Sequence, residues 1–477
     1  MLINDKSQKV EIILSDGRVL ESAETIECIV NVADNNKRQY QSGPFEYIVV
    51  RGYRADADKE VIKRVVEVEL DLLKKLQKVC EKHNLKLYMV YGTLLGAVRH
   101  GGVIPGDDDI DVALLREDYD RLLQLTEEFN GQYFLQTIDT DDAFFGGYIK
   151  LRNVKTTAVH EQNRWTKCVE GIGIDIFPID VGFKNSFQEK VKLRKVCFYQ
   201  RLLYAWVYGE ARNYKDMPLL IWKMYKYLGK CLGKDRIEKG LNNALRQGDK
   251  TNIRKMGIYS QYSMGKSAYT FSSFDFKSGI CMKYEDMFLL APGNYKELLK
   301  RKYGEDYMSI PIQENVVKRR HGLYDVDRSY LEYQSHVVCF FSRVPKNKDI
   351  ILIGDRILCS EYVKERMPSY PATYWIEVET VNYDKIERLN KEKMLEESKS
   401  LDLVERQKID VLKEIDYEKV FPFVCVFDYK KGFDLMRDAG CNDYFFYHCN
   451  AEWMRTSNPF LEARAYLATK GLIQEEN

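Results

Sequence analysis

Four aspartates, Asp107, Asp108, Asp109 and Asp111, fall within five positions of an otherwise largely apolar stretch, Val90 to Leu115. In a strand, side chains at i and i+2 share a face. Asp109 and Asp111 then project together, while Ile110 and Val112 enter the opposite layer. Two carboxylates about 4 Å apart repel by roughly 4 kcal/mol at an effective dielectric near 20. A divalent cation removes that repulsion. Mg²⁺ (or Mn²⁺) takes oxygen ligands, commonly one or two carboxylates together with substrate phosphates. The segment "GIGIDIFPID" (Gly171 to Asp180) offers a third acid. There Ile172, Ile174 and Ile176 share one face, and Gly171, Gly173 and Asp175 the other. Asp175 is the candidate third metal ligand beside Asp109 and Asp111, or else the base that takes a proton from an acceptor. Asp180 is a weaker rival.

Gly92-Thr93 supplies the other half of such a site. A strand that ends in Gly-Thr and enters a helix aims backbone N–H groups outward, a cradle for phosphate. The pair alone is also an ordinary strand exit. Upstream of a strand-borne D-x-D, with a later strand aspartate, it describes a nucleotidyltransferase fold. Lys150 and Arg152, at i and i+2, share a strand face and can offset phosphate charge, as can Arg99 and Arg320. Tyr91, His100 and His321 complete the candidate substrate contacts.

The elements that must position these groups follow from periodicity. Residues 1–54 read as a small β module, with a hairpin signal at Asp16-Gly17. An amphipathic helix follows, with Val61, Val65, Val68, Leu72, Leu76 and Val79 at spacings of three and four and Asp56 or Asp58 as its cap. "LKLYMVY" reads as a buried strand, "LLGAVRH" as a short helix, "DIDVALL" as a strand and "EDYDRLLQLTEEF" as a helix. Residues ~185–250 read as helical. Within them, "PLLIWKMYKYLGKCLGK" suits a core helix with snorkelling lysines or, by composition, a membrane-surface helix. From about 336, strands and a charged helix around 386–414 indicate a second α/β unit. Its first strand ends in Gly354 without G-x-G-x-x-G, so it is expected to be Rossmann-like but degenerate, not a dinucleotide domain. The fold class is therefore α/β (α+β), with three domains: 1–54, a catalytic 55–335 with a mixed sheet, and an accessory 336–477.

Composition excludes several classes. Lysine plus arginine, at 73, nearly balance aspartate plus glutamate, at 72, which argues against a polynucleotide-binding surface. The 11 cysteines are dispersed and form no CxxC pair, so neither a disulfide framework nor a zinc site is expected. The opening residues have no secretory pattern, and no apolar run approaches the ~18 residues that span a bilayer. The expectation is a cytoplasmic chain, with peripheral contact at the inner face of a membrane left open.

"YGTLLGAVRHGGVIPGDDDIDVALLREDYDRL" closely resembles the LicD/fukutin-related transferases. "YIKLRN", "GIDIFPID" and "KRKYGEDYMSIPIQENVVKRRH" look like their later blocks, so the resemblance spans roughly 60–330. It implies transfer of a phospho-alcohol from a CDP-alcohol, typically phosphocholine from CDP-choline. The implied acceptor is a sugar of teichoic acid, capsule or lipopolysaccharide, lipid-linked acceptors included. It matches Asp109 and Asp111 to the family's metal positions, Asp107 to the first acid of its run and Asp175 to the later strand aspartate. Gly106 stands where the family usually has tryptophan, which alters the pocket wall. Two rival readings are a nucleotidylyltransferase that moves NMP from an NTP to a small acceptor, and a non-catalytic scaffold of envelope-glycan assembly.

Overall fold

The computed structural model describes residues 10–14, 19–21, 32–34, 39–40, 48–52, 56–104, 107, 109–160, 166–207, 219–251, 253–261, 269–276, 279–305, 307–308, 322–337, 343–380, 401, 403–426 and 428–447. Five short strands come first: β1 (Val10–Leu14), β2 (Val19–Glu21), β3 (Val32–Asp34), β4 (Gln39–Tyr40) and β5 (Ile48–Gly52). β1 pairs antiparallel with β2 and β5, and β3 with β4. The Asp16-Gly17 turn expected between β1 and β2 lies outside the described residues.

Helix α1 (Asp56–Lys82) buries most of the predicted stripe: Val65, Leu72, Leu76 and Val79 are in the core, Val68 packs against it partly buried, and Val61 at the first turns is exposed. Its end is local chemistry. Asn84 takes φ 51°, and the Leu85 N–H reaches back to the Cys80 carbonyl at 2.8 Å. This is a left-handed stop that asparagine tolerates better than most residues.

The chain then builds a nine-stranded mixed sheet. Its members are β6 (Tyr88–Met89), β7 (Asp111–Leu115), β8 (Tyr133–Gln136), β9 (Ile149–Asn153), β11 (Ile172–Val181), β12 (Lys255–Ile258), β13 (Tyr269–Ser272), β14 (Ile280–Tyr284) and β15 (Met287–Ala291). The order is β13-β12-β11-β7-β6-β15-β14, with β9 and then β8 joined to the first half of β11. The β7–β11 and β6–β15 pairs are parallel, and the other pairs are antiparallel. Separately, β10 (Thr157–His160) pairs with β16 (Gly322–Asp325). Helices α2 (Tyr91–His100), α3 (Arg116–Leu122), α4 (Ser186–Val207), α5 (Leu219–Leu232), α6 (Lys234–Leu245), α7 (Tyr295–Tyr303) and α8 (Tyr330–Val337) fill the connections.

Two boundaries differ from the sequence expectation. Helix α2 takes in Tyr91, Gly92 and Thr93, because the chain turns into it directly after the two residues of β6. β7 begins at Asp111, not Asp109, although the ladder reaches one residue further, with the Asp175 N–H on the Ile110 carbonyl at 2.9 Å.

β11 holds the sheet together, yet carries Pro178, which has no N–H to give. Asp175 donates toward β7, so by alternation Pro178 faces away from it. On that side β9 ends opposite Ile176 and β12 begins opposite Asp180. The missing donor falls in the seam between them. Asp180 itself is buried and holds Arg116 through two bonds of 2.7 Å. It is a structural ion pair and not part of the acidic site.

A second sheet has five parallel strands in the order β19-β18-β17-β20-β21. They are β17 (Asp349–Gly354), β18 (Ala372–Glu377), β19 (Glu405–Gln407), β20 (Val420–Cys425) and β21 (Phe445–Phe446). In chain order this is 3-2-1-4-5, the doubly wound arrangement, with its reversal between β17 and β20. Helices α9 (Arg356–Arg366) and Tyr429–Asp438 start beside that reversal. Ligands of such sheets enter there. Here the buried Asp355 carboxylate accepts from the Thr380 N–H (2.9 Å) and hydroxyl (2.5 Å), and the Thr380 oxygen accepts from the Asp428 N–H at 3.2 Å. The charged helix expected at 386–414 is not formed where the chain is described. β19 and a short 3₁₀ turn (Ile409–Lys413) stand there instead. Paired with β18, the 405–407 backbone satisfies in the ladder the polar groups that face that strand.

Candidate active site

Register across the large sheet assembles the site. Asp175 lies opposite Asp111 on β7 and opposite Lys150 on β9. Directly opposed residues share a face, so Lys150, Asp175 and Asp111 form one lateral row over three strands. Beyond Asp111 the row meets Val90, whose N–H bonds the Asp111 carbonyl at 3.3 Å and where α2 begins. Tyr91, a candidate substrate contact, and the phosphate-cradle pair Gly92 and Thr93 are therefore the next residues along. Thr93 is buried, and its hydroxyl accepts the Asp111 N–H at 2.7 Å. Its side chain thus fixes the strand, and only its backbone can serve a phosphate. Tyr91 has φ 47°, an uncommon value for a residue with a side chain. Its ring meets Phe177 edge-on at 5.6 Å and lies under the Lys302 ammonium at 5.2 Å.

The acids crowd one another. Burial, then Asp109, Asp175 and Asp107, push the Asp111 carboxyl well above the usual carboxylate range, and Lys150 opposes them. Lys150 is ion-paired to Asp175. Burial works to lower its ammonium, but Asp175 and the Tyr148 phenol outweigh that and hold it above the ordinary lysine range. A Cβ on Gly92 would stand 3.0 Å from Asp107 Oδ2, which places that carboxylate at the start of α2. The turn carrying the acids is braced from outside, with the Val103 N–H on Glu285 at 2.8 Å.

Linkage gives a pH test. A carboxyl whose folded pKa is raised binds its proton more tightly folded than unfolded. In metal-free protein its stabilising contribution is complete below the unfolded value near 3.9 and is lost as pH rises through the folded one. Thermal unfolding of metal-free protein should therefore show a midpoint falling from about pH 4 toward neutrality at this site, and Asp111→Asn should flatten the fall. An unchanged profile in that variant would remove Asp111 as its origin.

Not all candidates meet here. Arg152 shares the Lys150 face, as its spacing predicts, yet is buried in structure. Its guanidinium donates to Gln136 Oε1 (2.8 Å) and the Gly171 carbonyl (2.7 Å). Its stem lies across Gly173, its register partner, where a Cβ would come within 2.6 Å of Arg152 Cδ. The bare glycine edge admits this arginine, not a substrate. Arg99 and His100 sit at the far end of α2, about 10 Å along its axis from Gly92. Arg99 bonds the Tyr307 carbonyl at 3.2 Å and ties α2 to the turn after α7. Arg320, His321, Asp108, Pro105 and Gly106 lie outside the described residues.

Three residues beside the row escaped the sequence reading. Tyr148 and Phe177 stand two positions from Lys150 and Asp175, so the same parity could have found them. Their rings are 5.2 Å apart, and Lys150 lies 5.6 Å over Tyr148. Lys302 had no local signal, because α7 alone brings it to Tyr91.

Among the described residues, no group of three or more His, Cys, Asp or Glu side chains is arranged to hold a metal ion. The expected set Asp109, Asp111 and Asp175 is not a closed cage, since Asp175 is taken up by Lys150. The donor chemistry that remains is the carboxylate pair Asp109 and Asp111, with Lys150 opposing the crowding at Asp111. That suits a hard cation that completes its shell with substrate oxygens.

Residues 84–201, which carry the whole row, match the family model for the LicD/FKTN/FKRP nucleotidyltransferase domain. The chain carries a LicD-family domain. It is 25% identical over 257 residues to the lipopolysaccharide cholinephosphotransferase LicD of Haemophilus influenzae, covering 52% of this chain and 91% of that protein. Uncharacterized proteins of Rickettsia prowazekii and Rickettsia typhi are 45% and 43% identical over 58 residues, which is 12% of this chain and 22% and 19% of theirs. The LicD-domain match includes β6, α2, β7, β9 and β11, and stops within α4.

Proposed function

We propose that the chain transfers a phospho-alcohol, phosphocholine foremost, from a CDP-alcohol to a hydroxyl of a lipopolysaccharide-type or other surface glycan. One observation carries this reading: the row Lys150–Asp175–Asp111 ends at the first turn of α2, inside a LicD-family domain. The similarity to a lipopolysaccharide cholinephosphotransferase supports the choice of phosphocholine and of the acceptor class.

Asp109 and Asp111 would hold the cation, Mg²⁺ or Mn²⁺, that the reaction uses. When bound, such an ion polarises the transferred phosphate and offsets charge on the departing CMP. The chain does the rest. Backbone N–H groups of Gly92 and Thr93 bind phosphate oxygens at the helix start. Thr93 keeps Asp111 in place through its hydroxyl. Lys150 fixes Asp175 and lowers the net negative charge that an incoming diphosphate meets. Asp175 already accepts this ammonium, so we assign proton removal from the attacking hydroxyl to Asp107, at the mouth of the cradle. Tyr148, Phe177 and Tyr91 form an aromatic floor that keeps water from the row.

The test is the leaving group. Incubated with CDP-choline, Mg²⁺ and a glycan acceptor, the protein should release CMP in step with choline incorporation. Pyrophosphate release from CTP, with no CMP from CDP-choline, would favour a nucleotidylyltransferase and overturn the assignment.

A further inference from the structure

Helix α5 is apolar on two sides. One side packs inward: Trp222 and Tyr225 are buried against α4 and α6. The other is open. Leu220 is 80% exposed, Met224 50% and Tyr227 70%, with Cys231 also exposed. Their spacing of four, three and four keeps them on a single line along the helix. Lys223, Lys226 and Lys230 run along one flank of that line. Between Leu219 and Leu232 there is no acidic residue. None of the three lysines has an ion-pair partner among the described residues. On the inward side, the ring of part-exposed Phe198 of α4 lies 5.9 Å from Tyr225. No helix among the described residues is long and apolar enough to cross a membrane.

We infer that α5 is an interfacial helix that seats the protein on an anionic lipid bilayer. The apolar line, with Tyr227 in it, enters the boundary between headgroups and acyl chains. The lysine row beside it meets lipid phosphates. Charge selects this occupant. An antiparallel second copy of the same helix would bring lysine row against lysine row and a parallel one would leave both rows unanswered, while a negatively charged leaflet complements the row. Large apolar side chains flanked by lysines, with no carboxylate between, are the composition of helices that lie in the interface plane. Each lysine near an anionic surface strengthens attachment several-fold. The inference does not depend on the transfer reaction, because it uses no residue of the acidic row.

Co-sedimentation of the full chain with vesicles tests it. Binding is expected to vesicles of phosphatidylcholine with about a third phosphatidylglycerol, to be at least ~10-fold weaker to pure phosphatidylcholine, and to fall in 0.5 M salt. Lys223→Gln/Lys226→Gln/Lys230→Gln and, separately, Leu220→Ser/Met224→Ser/Tyr227→Ser should each weaken binding to the anionic vesicles at least ~10-fold. Both sets are partly or fully exposed, so the thermal midpoint should hold, and a variant that melts early is replaced by single substitutions. Equal binding to neutral and anionic vesicles, or variants that bind like the parent, would overturn the proposal. So would a dimer in light scattering that only the serine variant abolishes, since the covering partner would then be a second copy.

Discussion

Replacing Asp111 by asparagine should cut CMP release from CDP-choline by roughly a hundred- to a thousandfold, the loss seen when a single electrostatic stabiliser is removed from a transition state. The size follows from position. Asp111 is where β7 pairs with β11 on one side and meets the start of α2 on the other, so in the proposed reaction the cation, the phosphate cradle and the row would share one residue. The fold should not suffer. Asparagine keeps the shape and removes a charge that burial and three neighbouring carboxylates oppose. Metal-free Asp111→Asn protein should therefore melt at or above the parent's midpoint at neutral pH while being nearly inactive. Activity retained within threefold would sink the assignment, and loss of activity with early melting would point to damage instead.

The second large effect is expected at Lys150. Its side chain is mostly buried and paired to Asp175, so Lys150→Met strands a carboxylate among carboxylates. Removing one partner of such a pair typically costs about 3–5 kcal/mol. Because part of the lysine still reaches solvent, the low end, about 3 kcal/mol, is the expectation. Activity should fall with it. Adding Asp175→Asn to Lys150→Met removes the stranded charge and should recover most of the stability without recovering turnover. This sign of coupling is what a double-mutant cycle reads. Equal midpoints for Lys150→Met and parent would show that the pair does not hold the row together.

Much of this site was legible in the sequence, because strand parity is a strict rule. Asp175 against its isoleucines, and Lys150 with Arg152, were placed on faces by counting alone, whereas Asp109 precedes the first residue of β7, where that count does not apply. Register was not legible. Nothing local says that Asp175 stands opposite Asp111 instead of Ala113, since that depends on how β11 seats between β7 and β9. Arg152 shows the limit of parity. It has the predicted face, but the missing side chain at Gly173 lets it lie flat and bond inward. Lys150 shows a related limit: a count of acids does not reveal that a lysine on the next strand pairs with one of them. In the second sheet, the doubly wound order followed from register and could not be read from Gly354 alone. The charged segment near 405 read as helix because its charges hid three residues that an existing edge could recruit.

The Asp355 arrangement carries a design consequence. At the crevice where a doubly wound sheet would admit a cofactor, this chain has installed its own anion and locked it with a threonine. Evacuating that tenant by mutating residue 355 alone would leave the Thr380 amide and hydroxyl without their acceptor. An engineer who wished to open the cleft to a nucleotide would have to change both residues together, and supply the glycines as well.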